Sequence, residues 1–311
     1  SITANGTEPQ NPLLPANTNE VGGGRIMDLL FEGLVSYDAD GKTVNEIAES
    51  IETEDSQHYT ITLKDGKTFS NGEPVTASSF VDAWNFGAAA KNAQLNSYFF
   101  ESIEGYDEAS AEGSEVDTMS GLKVIDDTTF EVTLKQPESD WPLRLGYTAF
   151  YPLPADAVEH PAAVGEHPVG NGPYMLAGDN AWQHEVQIDL VTNPDYTGTR
   201  VPQNSGVTFK FYSSYDAAYA DLQADNLDVL DQMPAAAQKT FKSDLGEGRY
   251  SEKPTAQNQT ITIPQYLDEF SGEAGALRRQ AISMAINREE ITDVIFSGAR
   301  QPANEFTSPV I

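Results

Sequence analysis

Patterns typical of a strand, a helix and a second strand follow one another between residues 207 and 230. Apolar and β-branched residues alternate at 207–212, a helical pattern covers 215–224, and a short apolar run follows at 227–230. Two strands joined by a helix pair in parallel in most proteins, because a parallel connection must cross from one end of the sheet to the other. The chain is therefore predicted to have an α/β fold with at least one parallel strand pair.

Shorter elements are predicted earlier in the chain. Residues 34–37 and 59–63 have strand patterns, and Asp-Ala-Asp-Gly at 38–41 is typical of a hairpin turn rather than a calcium loop. Thr76 is a candidate helix N-cap, and Ser79 is expected not to complete a capping box because it is not an acid. Further strands are predicted at 123–125, 130–134 and 186–191, and helices at 25–32, 276–286 and 287–296, the last ending at Gly298.

Charge and composition exclude several classes of protein. The chain has 48 acidic and 18 basic residues and a formal net charge of −30. Nucleic acid is excluded as a partner because phosphate binding requires clustered basic side chains, and an anionic membrane surface would repel the chain. A solvated acidic exterior is favoured over attraction for cationic ligands as the role of this charge. With no cysteine there is no disulfide, and no apolar run is long enough to span a membrane.

The motifs that carry catalysis or metal binding are not found in the sequence. The Gly22-Gly23-Gly24 run has no following Gly-Lys-Ser/Thr, so it is predicted to be a flexible loop near a ligand or turn rather than a phosphate cradle. The histidines at 58, 160, 167 and 184 lack metal-ligand spacing, and there is no Gly-x-Ser-x-Gly elbow. We therefore predict no catalytic residue, no metal and no cofactor, and hence no enzyme.

One segment has an unusually constrained backbone. Residues 167–174 contain two prolines and two glycines, which fix a defined path. A hinge or crossover between domains and an ordinary tight turn are equally compatible with this composition.

Several segments in order resemble the oligopeptide- and dipeptide-binding (family 5) extracellular solute-binding proteins of ABC importers. They are LLFEGLV at 29–35, IAES at 47–50, YTITLKDGKTFSNGEPVTASSF at 59–80, PVGNGPY at 168–174, NPDY at 193–196 and LRRQAISMAINRE at 277–289. Each motif alone is weak, but all of them in the family's order make the resemblance specific.

The resemblance implies an α/β fold of the two-lobed periplasmic-binding-protein type with an extra inserted domain. Lobe one would comprise residues 1–36 and 165–262, with the inserted domain at 37–164. Residues 263–311 would begin lobe two, and the remaining chain is too short for a whole lobe. The chain is thus expected to be a fragment with most of lobe two missing.

The same resemblance gives candidate ligand-binding residues. Asn19, Glu20 and Val21 match a loop that pairs with peptide backbone, and Asp231 and Gln232 match a loop lining the cleft. The remaining candidates are Thr260 and Thr262, on an expected crossover strand, and Tyr98, near a position that closes over the ligand.

The implied function is capture of oligopeptides in an interlobe cleft for uptake through the membrane permease of an ABC importer. The protein would be extracellular or periplasmic and anchored by a lipid after removal of a leader. Three alternatives stay open: an oligosaccharide-binding importer protein, a surface adhesin and a secreted hydrolase.

Overall fold

Two sheets account for most of the strands in the first part of the chain. A computed structural model describes residues 1–38, 40–253, 255 and 257–307. The strands are β1 Ile2–Gly6, β2 Val35–Tyr37, β3 Thr43–Asn45, β4 Ala48–Glu52, β5 His58–Leu63, β6 Leu122–Asp126, β7 Thr129–Thr133, β8 Tyr174–Leu176, β9 Trp182–Gln183, β10 Gln187–Thr192 and β11 Gly206–Phe211.

The helices are short. They are α1 Val21–Leu30, α2 Ala77–Ala88, α3 Tyr106–Ser110, α4 Ala155–Glu159, α5 Pro161–Glu166, α6 Tyr215–Gln223, α7 Phe241–Leu245, α8 Gly272–Ala285 and α9 Arg288–Glu290. Single 3₁₀ turns lie at Ala90–Asn92, Ser97–Phe100, Trp141–Arg144, Thr148–Phe150, Ala235–Ala237 and Asp268–Phe270, and a π-helical turn at Ile291–Ile295. The predicted helices and most of the predicted strands are thereby confirmed, with ends shifted by a few residues.

The chain divides into two compact units, Ser1–Ser213 and Ser214–Ile311. The first unit holds a five-stranded sheet in the order β1-β11-β10-β8, with β9 also paired to β10. It also holds a four-stranded antiparallel sheet, β4-β5-β7-β6, and the hairpin of β2 and β3. The expected boundaries at 36, 164 and 262 stay a prediction.

The parallel pair is formed by β1 and β11, not by the two strands predicted around α6. Ile2 lies opposite Val207 and Gly6 opposite Phe211. The predicted strand at 227–230 is wrong: only Val229 makes an isolated bridge, and Leu227 is buried between exposed neighbours. A single buried residue gives the run too little apolar contact to be held in a sheet.

One apolar core runs through the first unit. Trp84 on α2 lies at its centre, with edge-to-face contacts to Phe130 at 5.6 Å and Phe150 at 5.4 Å between ring centroids. Its indole N–H donates to the Phe150 carbonyl at 3.0 Å, so the buried polar atom of this side chain is satisfied. The helical pattern of Phe80, Val81 and Trp84 therefore marks a core face.

Two local predictions need correction. The Ser79 hydroxyl accepts the backbone N–H of Thr76 at 3.1 Å, which is the return bond of a capping box, because a short hydroxyl also reaches this group. Gly22, Gly23 and Gly24 form the first turn of α1 rather than a loop.

The constrained segment 168–174 carries the chain from α5 into β8 and packs against the end of α1. A Cβ on Gly170 would lie 1.9 Å from the Leu30 carbonyl oxygen, and one on Gly172 would lie 2.6 Å from the Leu30 carbonyl carbon. The side-chain amide of buried Asn171 accepts the Glu32 N–H at 3.0 Å and donates to the Glu32 carbonyl at 2.9 Å. The glycines are thus required by close backbone packing.

The second unit contains α6 to α9. The Ser214 hydroxyl caps α6 by accepting the Ala217 N–H at 3.3 Å. Most of α8 is exposed, including Leu277 and Met284, and only its Gly275 is buried. Residues 257–264 lie outside any strand, so the crossover strand expected around Thr260 is not formed.

Candidate functional site

A cavity of about 520 Å³ opens in the first unit beside α1. Four parts of the chain surround it: the loop and helix at 18–28, the residues at 32–37 that follow the helix, the loop at 146–151, and Arg200. The lining residues are Thr18, Asn19, Glu20, Val21, Gly24, Arg25, Asp28, Glu32, Gly33, Val35, Ser36, Tyr37, Gly146, Tyr147, Thr148, Tyr151 and Arg200. Its volume lies within the range of about 300–1,000 Å³ that small-molecule sites occupy.

The N-terminus of α1 forms one rim of the cavity. The Glu20 carboxylate caps the helix by accepting the Gly23 N–H at 2.8 Å. A Cβ on Gly23 would lie 2.4 Å from the same carboxylate, and one on Gly22 would lie 2.4 Å from the Thr7 hydroxyl. The glycines therefore let the cap fold tightly over the helix, while the Val21 side chain is 71% exposed at the rim.

Three tyrosines form a wall of the cavity. The Tyr37 hydroxyl donates to the Leu143 carbonyl at 2.6 Å, and the Tyr151 hydroxyl donates to Asp28 Oδ1 at 2.9 Å. Tyr147 stacks on Phe99 at 4.3 Å between ring centroids, and Phe99 in turn contacts the Tyr98 ring at 4.6 Å. Tyr37 and Tyr147 remain partly exposed where they line the cavity.

A buried carboxylate lies at the floor. Glu32 is 1% exposed, accepts a hydrogen bond from the Tyr196 hydroxyl, and has Lys67 Nζ 3.9 Å from its Oε2. Burial raises the pKa of the Glu32 carboxyl, against the effects of Tyr196, Lys67 and Arg200. Burial thus disfavours the ionised form of the Glu32 carboxyl.

A second acid, Glu46, lies beside Glu32. Burial also acts to raise the pKa of Glu46, but hydrogen bonds outweigh it and hold that pKa below the usual value. The donors are the hydroxyls of Ser36 at 2.8 Å and Thr199 at 2.5 Å. The two shifts differ because hydroxyl donors stabilise the charged form of Glu46, whereas burial dominates at Glu32.

The cations of the cavity are bound to backbone carbonyls. Arg200 donates to the carbonyls of Asp28 at 2.5 Å and Phe31 at 2.6 Å, and so satisfies two oxygens at the C-terminal end of α1. Arg25 donates to the Asn5 carbonyl at 2.9 Å and lies 5.2 Å from the centre of the Phe209 ring. Partial burial raises the pKa of the Asp28 carboxyl, and Tyr151 and Arg200 oppose that shift.

The structure brings together three of the predicted ligand-binding residues. Asn19, Glu20 and Val21 line the cavity, whereas Tyr98 reaches its wall only through Phe99 and Tyr147. Gln232 lines a separate cavity of about 330 Å³ within the second unit, and Asp231 does not line it. Thr260 and Thr262 are exposed coil residues. Ligand contact by any of these residues stays a prediction.

Sequence reasoning missed the other polar groups of the cavity. Asp28, Tyr37, Tyr147 and Arg200 come from four separate segments and belong to no common motif. The only local signal is that Asp28 lies on the polar side of the helical pattern that follows the three glycines.

Among the residues that the structure describes, no group of three or more His, Asp or Glu side chains could hold a metal ion. Within the same residues, none of the helices combines the length and the apolar character needed to cross a bilayer.

Comparison with known proteins extends these observations. The sequence profile of the bacterial extracellular solute-binding proteins, family 5, matches residues 42–311. The oligopeptide-binding protein OppA of Bacillus subtilis is 28% identical over 321 residues, covering 98% of this chain and 56% of that protein. A dipeptide-binding protein of Lactococcus lactis is 27% identical, with 89% and 52% covered.

A solved structure shows the same architecture. The crystal structure of Haemophilus influenzae OppA in complex with the peptide RPPGFSPFR superposes with a TM-score of 0.77 at 27% identity. The alignment covers 96% of this chain and 58% of that one. The chain therefore spans somewhat more than half the length of the relatives that it matches, and it belongs to the bacterial extracellular solute-binding proteins of family 5.

Proposed function

We propose that this chain forms the larger part of a receptor that captures oligopeptides outside the cell and delivers them to the membrane permease of an ABC importer. The observation that carries the proposal is the open cavity beside α1, which has Asn19, Glu20 and Val21 on its rim and tyrosine rings on its wall. Family membership supports it, since relatives that match most of the chain are named for oligopeptide or dipeptide binding.

Binding would occur in a cleft completed by a second lobe. A ligand that contacts both walls binds the closed state better and shifts the population toward it. Hydrogen bonds to the peptide backbone would give affinity that depends little on side chains. The protein would act outside the cytoplasmic membrane, held there by a lipid anchor, and would break no bond.

The tyrosines of the cavity are also compatible with one other class of ligand, oligosaccharides. Oligosaccharides stack on aromatic faces, and Tyr37 and Tyr147 offer such faces, although Trp84 and Trp141 are buried in the core. Titration calorimetry of the full-length protein with a peptide library and a glycan set separates the two. Peptide binding without glycan binding is expected, and the reverse would overturn the proposal.

A rim variant locates the site. Val21→Asp places a charge where a peptide backbone would pack and should weaken peptide binding tenfold or more, since tenfold corresponds to about 1.4 kcal/mol. Val186→Asp is the matched control, because Val186 is a similarly exposed valine, 54% accessible, away from the cavity. Equal affinities of the two variants would place the site elsewhere.

A further inference from the structure

We infer that the cavity beside α1 accepts a basic side chain of the bound peptide, the ammonium of lysine or the guanidinium of arginine. This inference rests on the proposed peptide-binding function and adds to it a preference for one class of side chain.

The first argument is the balance of charge that a ligand would meet. Three acids, Glu20, Asp28 and Glu32, line the cavity. Its two basic side chains, Arg25 and Arg200, already donate to backbone carbonyls. A cationic ligand would therefore meet carboxylates, whereas an anionic ligand would compete with backbone carbonyls for guanidinium groups that already donate to them.

The position of Asp28 singles it out among the acids. Glu20 is occupied as the helix cap, and Glu32 is buried beneath the floor. Asp28 lines the cavity from α1 with an exposed residue surface, while its carboxyl group is partly buried where Tyr151 donates to its Oδ1. Among the described residues, no ion pair within 4.0 Å is found at Asp28, although Arg200 acts on it at longer range. Its second oxygen can accept a charge-assisted hydrogen bond, which is about twice as strong as a neutral one.

The aromatic wall favours the same ligand chemistry. A cation within about 6 Å of a tyrosine ring face is attracted by the ring, with about 0.5–2 kcal/mol of stabilisation depending on exposure. Tyr37 and Tyr147 line the cavity together with Asp28, so a flexible basic side chain could lie along the rings with its charge at the carboxylate.

The test compares matched tripeptides on the full-length protein by calorimetry. Trialanine is substituted at each position in turn by lysine, by its uncharged analogue norleucine, and by glutamate. At one position lysine should bind at least tenfold more tightly than norleucine, and glutamate should bind most weakly. Equal binding of lysine and norleucine at every position, or tighter binding of glutamate, would overturn the inference while leaving peptide capture intact.

Two variants assign the preference to Asp28. Asp28→Asn retains an oxygen for the Tyr151 hydroxyl but removes the charge, so the lysine-to-norleucine ratio should fall to within about threefold of one. Asp82→Asn is the matched control, because Asp82 is an exposed acid on α2 that does not line the cavity, and it should keep the full ratio. An undiminished ratio in Asp28→Asn would refute the assignment. If no peptide binds the unsubstituted protein at all, the proposed function fails first and the inference fails with it.

Discussion

At the scale of single residues, the buried side chain of Asn171 bonds to the backbone of Glu32 at two points. Its amide bonds both backbone groups of Glu32, at 3.0 Å and 2.9 Å, and the side chain is 3% exposed. It thereby fixes the chain just after α1, where Glu32 and Gly33 form part of the cavity. The contact joins residues 139 positions apart, so it also ties the start of the chain to β8.

Asn171→Ala should be strongly destabilising for this reason. The substitution leaves a buried N–H and a buried carbonyl without a partner, and each such group costs about 1–3 kcal/mol. The free energy of unfolding should fall by roughly 2–5 kcal/mol in urea titrations followed by tryptophan fluorescence. Asn45→Ala is the control, since exposed Asn45 makes one bond to the Glu49 carbonyl and should change stability by less than about 1 kcal/mol. Similar losses in both variants would show that the bonds to Glu32 contribute little.

At the scale of elements, the first turn of α1 has three glycines with different surroundings. A Cβ on Gly24 would meet no atom within 4 Å, whereas one on Gly23 would lie 2.4 Å from the Glu20 carboxylate and 2.8 Å from the Thr18 methyl. Gly24 therefore has no packing reason to be glycine, while Gly23 is required by the cap.

The two alanine substitutions should act in opposite directions. Gly24→Ala should stabilise the first unit by up to about 1 kcal/mol, because alanine restricts the unfolded chain and favours helix. Gly23→Ala should lower stability by about 0.5–2 kcal/mol, the usual effect of losing an N-cap. Thermal melting followed by circular dichroism measures both. A stabilising Gly23→Ala would mean that the Glu20 cap can move without loss.

The elements also show what the sequence could and could not predict. Alternation in β5, β10 and β11 and the helical face of α2 are local patterns, and the structure confirms them. The pairing of β1 with β11 joins segments some 200 residues apart and leaves no local pattern in the sequence. For this reason the sequence predicts 227–230, rather than β1, as the parallel partner of β11. The reach of the Ser79 hydroxyl and the helical state of Gly22 to Gly24 depend on neighbours that a single-chain pattern does not reveal.

The site was less predictable than the fold. Asn19, Glu20 and Val21 were predicted from the family resemblance alone, and all three line the cavity. Asp28 and Arg200 meet because the loop after β10 returns to the end of α1, which is a property of the tertiary fold. Polar residues in an acidic chain are common, so nothing in composition separates Asp28 from the other acids.

At the scale of the whole molecule, the apolar core lies entirely within the first unit. Its members run from Ala4 to Phe209, and every strand from β1 to β11 lies between residues 2 and 211. All three tryptophans, at 84, 141 and 182, belong to this unit as well. The second unit, by contrast, buries few large side chains. Leu222, Leu227 and Phe241 are examples.

Residues 1–213 should therefore fold when expressed alone. A domain of this size with its own continuous core is expected to unfold cooperatively, because its sheets and apolar contacts are all retained. The expected result is a single sigmoidal urea transition with buried tryptophan fluorescence matching that of the longer chain. A second truncation, residues 1–200, is the control, since it deletes β11, which lies between β1 and β10 in the sheet. Without this inner strand, β1 has no partner, and the core loses Val207 and Phe209, so that the apolar residues packed around them are exposed. Residues 1–200 should therefore show no cooperative urea transition. If 1–213 unfolds without cooperativity, or if 1–200 folds equally well, then the first unit does not derive its stability from the core that runs through its own sheet.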